Sequence, residues 1–225
     1  NFNNPETIAK IEKIKKNYKT QQLKELLTEK LKNGRDCRIY INDGIPYIRV
    51  DNIEDNKILW QTANQVFINK EKLKGFEVKE EDVLFTRKGT AGRTAVVKKE
   101  DENILISSEI IRIRINKEII SSEYLSLFLN SEIGNIQVNR FLAGMLNEGI
   151  SHPNLENIEI IIPKNKKQEE NAIKEFTKYN NKAEQNLNSF NEYLKKIKEY
   201  FNFKINFDFN KQTNLFILKK EEIID

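Results

Sequence analysis

The sequence is poor in the residues that build covalent or metal-centred chemistry. Across 225 residues there is one cysteine, Cys37, and one histidine, His152. A single thiol excludes an intramolecular disulfide and a zinc centre built on several thiolates. A single imidazole excludes histidine-rich metal sites and most chemistry that needs two histidines. No apolar run approaches about 18 residues, so no segment reads as a membrane span. Asn1 to Asn4 do not read as a signal peptide, and the chain opens on Asn rather than Met, which reads as an excised piece of a longer protein. The hydrophobic fraction of 38% is low for a globular protein, enough for one modest core and not for two large ones.

Charge is what the sequence has in quantity. There are 38 Lys and Arg against 34 Asp and Glu, a net charge of +4, and 32% of all residues are charged. A balance of this size keeps a protein in solution and permits, without requiring, a polyanionic partner. On charge alone, a solvated Lys/Glu surface with no such partner is the favoured reading.

The hydrophobic pattern mixes two periods. Residues 4–16 predict a helix, with Asn4 as cap, Pro5 in the first turn, Glu6 at the positive end, and Ile8, Ile11 and Ile14 on one stripe. Leu23, Leu26, Leu27 and Leu31 predict a second helix over Thr20 to Leu31, stopped by Asn33-Gly34. Ile39 to Ile41 and Tyr47 to Val50, joined by Asn42-Asp43-Gly44, predict two short strands around a turn, and Val66 to Ile68 another. Asp82 to Thr86 and Thr94 to Val97 flank a glycine-bearing loop and predict a hairpin. In Ile110 to Ile115, Ile111, Ile113 and Ile115 share one face and Arg112 and Arg114 the other. Helices follow from Tyr124 to Leu129, capped by Ser121-Ser122, and from Glu132 to Phe141. Ile158 to Ile162 predicts a strand closed by Pro163. Helices and strands without regular alternation place the chain in the α+β class, with a mixed or antiparallel sheet.

From Lys166 to Phe201 there is neither Gly nor Pro. Ile173, Phe176, Ala183, Leu187, Phe190, Leu194, Ile197 and Phe201 recur at spacings of three and four, with Asn180 at the missing position. This is a heptad pattern, and the helix it predicts would reach roughly 50 Å. It is either a coiled-coil seam or a long helix packed on its own domain. Phe201, Phe203, Ile205, Phe207 and Phe209 then alternate as in a strand, with Leu215 to Leu218 as a hairpin partner.

Few constellations carry chemistry. The loop Arg87-Lys88-Gly89-Thr90-Ala91-Gly92-Arg93 has three cations and two glycines between two strands. It lacks the P-loop spacing and the strand-to-helix setting of a dinucleotide fingerprint. Glycines let a backbone approach a ligand, and Arg and Lys reach phosphate or a guanine edge. The same residues also make an ordinary basic turn. Arg112 and Arg114 either face DNA from the sheet or are solvated. Arg35 and Arg38 form a second basic cluster, read as a surface pair. Arg140 follows Asn135, Gln137 and Asn139, side chains of the type that read adenine but common throughout this chain. His152 and Cys37 have no nearby partner and read as structural. Glu77-Val78-Lys79, with Asp51 or Asp55 upstream, matches half of a nuclease motif that a Glu- and Lys-rich chain produces by chance. No S-adenosylmethionine motif is present.

Four stretches together resemble the specificity (S) subunit of type I restriction–modification systems, as one target-recognition domain with its spacer helix. Thr20 to Leu27 leads through Asn33-Gly34 into Gly44-Ile45-Pro46-Tyr47-Ile48-Arg49-Val50-Asp51-Asn52-Ile53, similar to the family's opening. Glu81 to Gly92 is similar to its glycine hairpin, with Glu81 in place of the usual glycine. Glu123-Tyr124-Leu125 to Leu129-Asn130-Ser131 resembles its helix. Gly149-Ile150-Ser151 through Leu155 to Pro163, with Gln168, resembles its closing segment. The likeness covers about residues 18–200, with one recognition domain where full S subunits carry two, and leaves the tail outside.

The resemblance implies a non-catalytic, cytoplasmic DNA-recognition module with no cofactor and no metal. It divides the chain into a helical lead (1–17), a recognition domain (18–163), a spacer or dimerisation helix (164–201) and a tail (202–225). Its partners would be double-stranded DNA, an adenine-N6 methyltransferase subunit, a restriction subunit, and a second recognition domain or second copy met through the 166–201 helix. The residues expected at DNA are Arg87, Lys88, Thr90, Arg93, Arg112, Arg140 and Asn147. The chain would be a half-subunit that dimerises, an excised half, or the recognition module of a fused restriction–methylation enzyme. An oligomerisation scaffold without DNA binding is the reading from another class.

Overall fold

A computed structural model describes residues 5–54, 56–69, 73–101, 104–142, 149–175 and 177–178. Helix α1 (Pro5–Asn17) opens the chain, with Ile11 buried and Ile8 and Ile14 half-buried on the predicted stripe. The predicted helix over Thr20 to Leu31 is different. Strand β1 (Thr20–Gln22) comes first, then a single turn, α2 (Leu23–Leu26). Leu27 continues as an isolated antiparallel bridge to Ile115. Leu23 and Leu26 satisfy the helical period within one turn. The flanking backbone is taken by β11 (Glu159–Ile161), which pairs antiparallel with β1. Tertiary pairing outweighs a weak local preference here.

The central sheet has four antiparallel strands in the order β2 (Lys32–Asn33), β10 (Ile110–Ile113), β7 (Val83–Thr86), β8 (Thr94–Val96). The predicted hairpin is therefore present as β7–β8. A three-stranded sheet sets β3 (Tyr40–Ile48) between β6 (Asn64–Val66), antiparallel, and β9 (Leu105–Ile106), parallel. Here Asn42-Asp43-Gly44 is not a hairpin turn. Tyr40 and Ile45 both register against Val66, so residues 41–44 bulge out of one continuous strand. A small ribbon, β4 (Ile53–Glu54) with β5 (Lys57–Ile58), completes the strands named among the described residues.

Helix α3 (Ser122–Asn130) begins as predicted, with the Ser121 hydroxyl accepting from the Tyr124 amide at 3.2 Å. Helix α4 (Glu132–Leu142) follows, and α5 (His152–Glu156) is capped by Ser151, with Pro153 in its first turn. The central sheet is buried on both faces. Val83, Phe85, Ile111 and Ile113 join Leu23, Leu26, Leu125, Leu129, Val138 and Leu155 in the largest core cluster. Leu84, Ala95 and Ile110 point the other way, against Ile48, Ile53 and Ile106. This double burial corrects one expectation. The second face of β10 is covered, and Arg112 is only 6% exposed rather than lying on an open sheet surface.

Residues 166–175 and 177–178 are helical, so a helix starts at the residue where the sequence places one. Its heptad seam beyond residue 178, Asn147, and the alternating tail lie outside the described residues. Among those described, no helix is long and apolar enough to cross a membrane.

Candidate nucleic-acid interface

The tip of the β7–β8 hairpin is a clamped loop. Thr86 is fully buried, and its hydroxyl donates to the Thr90 carbonyl at 2.6 Å and accepts from the Arg93 amide at 3.0 Å. The Gly92 amide returns to the Thr86 carbonyl at 2.8 Å. Two glycines make the reversal feasible, Gly89 at φ +66° and Gly92 at φ +102°. A Cβ on Gly92 would stand 3.3 Å from Asn135 Oδ1 and from Val138 Cγ1, so the loop rests directly on α4.

Two further segments hold the loop's other limb. The Arg87 amide donates to the Glu109 carbonyl at 2.9 Å, and the Arg87 carbonyl accepts from the Ile150 amide at 3.0 Å. A Cβ on Gly149 would lie 2.2 Å from the Arg87 carbonyl oxygen. The result is a fixed platform on which Arg87, Lys88, Thr90 and Arg93 are all partly exposed and Gly89 is exposed. Four of the residues predicted for DNA contact are thus brought together. Arg140 is partly exposed in the last turn of α4, the helix that carries the loop, with its guanidinium 5.9 Å from the Phe141 ring.

Arg112 is not part of this surface. Its guanidinium contacts the Glu29 carboxylate at 2.7 Å and donates to the Glu77 carbonyl. Arg114 pairs with Asp82 at 2.5 Å and with Glu29 at 3.1 Å. The hydrogen bond that Arg114 donates to Asp82 holds the guanidinium proton more firmly than usual, against the opposing effect of burial. This network sits at the far end of β10 from the Arg87 loop, in a groove of about 500 Å³ lined also by Lys30, Lys32, Gly75 and Lys79. Glu77 is exposed, and it is its backbone carbonyl that Arg112 and Arg114 bond. Among the described residues, no three His, Cys, Asp or Glu side chains converge as a metal site requires.

Gln137 is also removed from base reading. It is buried, its amide donating to the Glu159 carbonyl at 3.0 Å and accepting from the Glu159 amide at 2.9 Å. His152, read from sequence as a structural residue, opens α5 and bonds Asn33 Oδ1 through Nε2. Burial, then the positive field of Arg87, lowers its pKa from the ordinary value, with Glu156 opposing. His152 and Asn33 therefore adjoin the cationic loop, an adjacency across more than a hundred residues that no local pattern announces.

Comparisons with known proteins agree on one family. Residues 15–189 match the family described as "Type I restriction modification DNA specificity domain". A stretch of 93 residues is 33% identical to the type I restriction enzyme EcoEI specificity subunit of Escherichia coli, covering 39% of this chain and 16% of that protein. The fold is similar to the crystal structure of a type I restriction–modification S subunit from M. genitalium, with a TM-score of 0.52 and 16% identity over 82% of this chain and 44% of that one. It is similar also to the HsdS subunit from Thermoanaerobacter tengcongensis, with a TM-score of 0.52 and 14% identity over 82% and 47%. The chain thus spans less than half the length of these relatives. With the match reaching over most of its length, the chain belongs to the family of type I restriction–modification DNA specificity domains.

Proposed function

We propose that residues 18–163 recognise one half-site of duplex DNA and that loop 87–93 is the principal contact. Arg87, Lys88 and Arg93 anchor phosphates or a guanine edge, and Thr90, with its hydroxyl, reads an adjacent base edge. Arg140 extends the cationic surface along α4, and Asn147, in the segment between α4 and Gly149, reads bases. The helix that starts at Lys166 sets the distance to a second recognition domain or a second copy. It also docks an adenine-N6 methyltransferase subunit, which flips its target base out of the stack. Catalysis belongs to that partner, and the whole assembly acts in the cytoplasm.

The observation that carries this reading is the clamp. Three cations stand partly exposed on a loop fixed by Thr86, α4, Glu109 and Ile150. A loop already held in one conformation loses little entropy when it meets DNA, so its charges act at full effect. The test is duplex binding over a salt series. Wild-type affinity falls steeply as salt rises, and Arg87→Ala with Arg93→Ala flattens the logarithmic slope by about two, near 0.9 for each phosphate no longer neutralised. An unchanged slope removes the loop from the interface.

A further inference from the structure

Among the described residues four large hydrophobic side chains are strongly exposed, and three lie together: Ile39 at 59%, Tyr40 at 51% and Phe67 at 58%. They occupy one end of the β3–β6 ribbon. The Phe67 amide donates to the Ile39 carbonyl at 2.9 Å, and Tyr40 pairs with Val66. Ile39 and Phe67 are therefore directly opposite across an antiparallel pair and share one face. Tyr40 takes the other face, its ring 6.5 Å from that of buried Tyr47, where it rims the small core under this sheet. Single exposed apolar side chains are ordinary, whereas a cluster marks a contact surface.

Two observations indicate what meets it. The exposed guanidinium of Arg38 immediately precedes Ile39. The segment leading into the cluster is also tied to the same turn as the cationic loop. Asp36 accepts from the Ser108 hydroxyl at 2.6 Å, while the next residue, Glu109, accepts from the Arg87 amide at 2.9 Å. Loop 87–93 and the ribbon end thus flank one turn of the chain. A two-stranded ribbon is the width that the major groove of B-DNA admits. Asp43, exposed on the bulge of β3, suits a base edge, where cytosine N4 donates, and not a phosphate.

We infer that the Ile39–Tyr40–Phe67 end of the ribbon enters the major groove beside loop 87–93, where Ile39 and Phe67 read thymine methyl groups. The inference rests on the DNA-recognition reading above and adds to it a specificity element that charge does not supply. The experiment uses the full chain and duplexes enriched by it from a randomised pool, each made with thymine or with uracil, which differs by the methyl group alone. Wild type binds the uracil duplex about fourfold more weakly for each methyl it reads, the order of one buried methylene. Ile39→Ser and Phe67→Ser weaken binding to the thymine duplex, erase the preference for thymine, and leave the salt slope unchanged. Both sites are exposed, so the variants fold, as circular dichroism verifies. Arg87→Ala with Arg93→Ala shows the converse, a flatter salt slope with the thymine preference retained. Equal wild-type affinity for the two duplexes overturns the inference. So does a Phe67→Ser variant with undiminished affinity or preference, including one that has instead lost a protein partner. Failure of wild type to bind any duplex overturns the recognition reading and this inference with it.

Discussion

Thr86 shows how one buried hydroxyl fixes a surface. It serves the Thr90 carbonyl and the Arg93 amide at once, with no exposure to water. Thr86→Val keeps the shape and strands both groups. Chemical denaturation should show a loss of about 1–3 kcal/mol, and hydrogen exchange should quicken at residues 90–93. Arg112 behaves in the opposite way to an interface residue. Removing it takes away one of the two guanidiniums that Glu29 and Asp82 share, with Arg114 remaining, and vacates a buried site, so Arg112→Ala should cost about 1–3 kcal/mol in denaturation while the salt slope of DNA binding stays at the wild-type value. His152 gives a pH signature. Its folded pKa lies below the ordinary value because burial and then Arg87 disfavour the imidazolium. The unfolded chain therefore binds the proton more readily, and stability drains as pH falls from above about 6.5 down through the depressed folded value. His152→Gln should flatten the stability profile between about pH 7 and pH 5, a range above that of the ordinary carboxylates; an unaltered profile contradicts the assignment.

Among the elements, legibility followed locality. The β7–β8 hairpin, α3, α4 and β11 each carry their own signal: a glycine loop between apolar strands, a Ser cap, a helical period, a closing proline. The helix expected over Thr20 to Leu31 failed because β11 claims the backbone of Thr20 to Gln22. The turn expected at Asn42-Asp43-Gly44 failed because Val66 pairs with residues on both sides of it. Alternation in β10 assigned Arg112 to the correct face, but nothing local reveals that another layer covers that face. The helix at Lys166 is tied to the domain by Glu169, only 2% exposed, whose carboxylate accepts from the Ser121 amide at 2.6 Å and meets Lys166 at 3.1 Å. Burial alone would raise its pKa, yet the hydrogen bonds from Ser121 and Lys166 hold it below the usual carboxylate range. Its contribution is therefore present above the unfolded carboxylate range and lost as pH falls through the lower folded value. Glu169→Ala should cost about 2 kcal/mol at neutral pH by denaturation, and less at acid pH, with Glu169→Gln milder.

At the scale of the molecule, the two ends of the central sheet differ in charge environment. The Arg112–Arg114 edge holds its charges in ion pairs, while the hairpin tip at the other end of the same sheet carries Arg87, Lys88 and Arg93 partly exposed. The central proposal is that this tip grips DNA. Lysine-labelling footprinting on the full chain, with and without a bound duplex, reads it most directly. Lys88 should lose most of its reactivity when duplex is bound, while exposed Lys24 and Lys79 remain as reactive as in the free protein. If the duplex is bound and Lys88 labels as fast as before, the loop is not where this protein meets DNA.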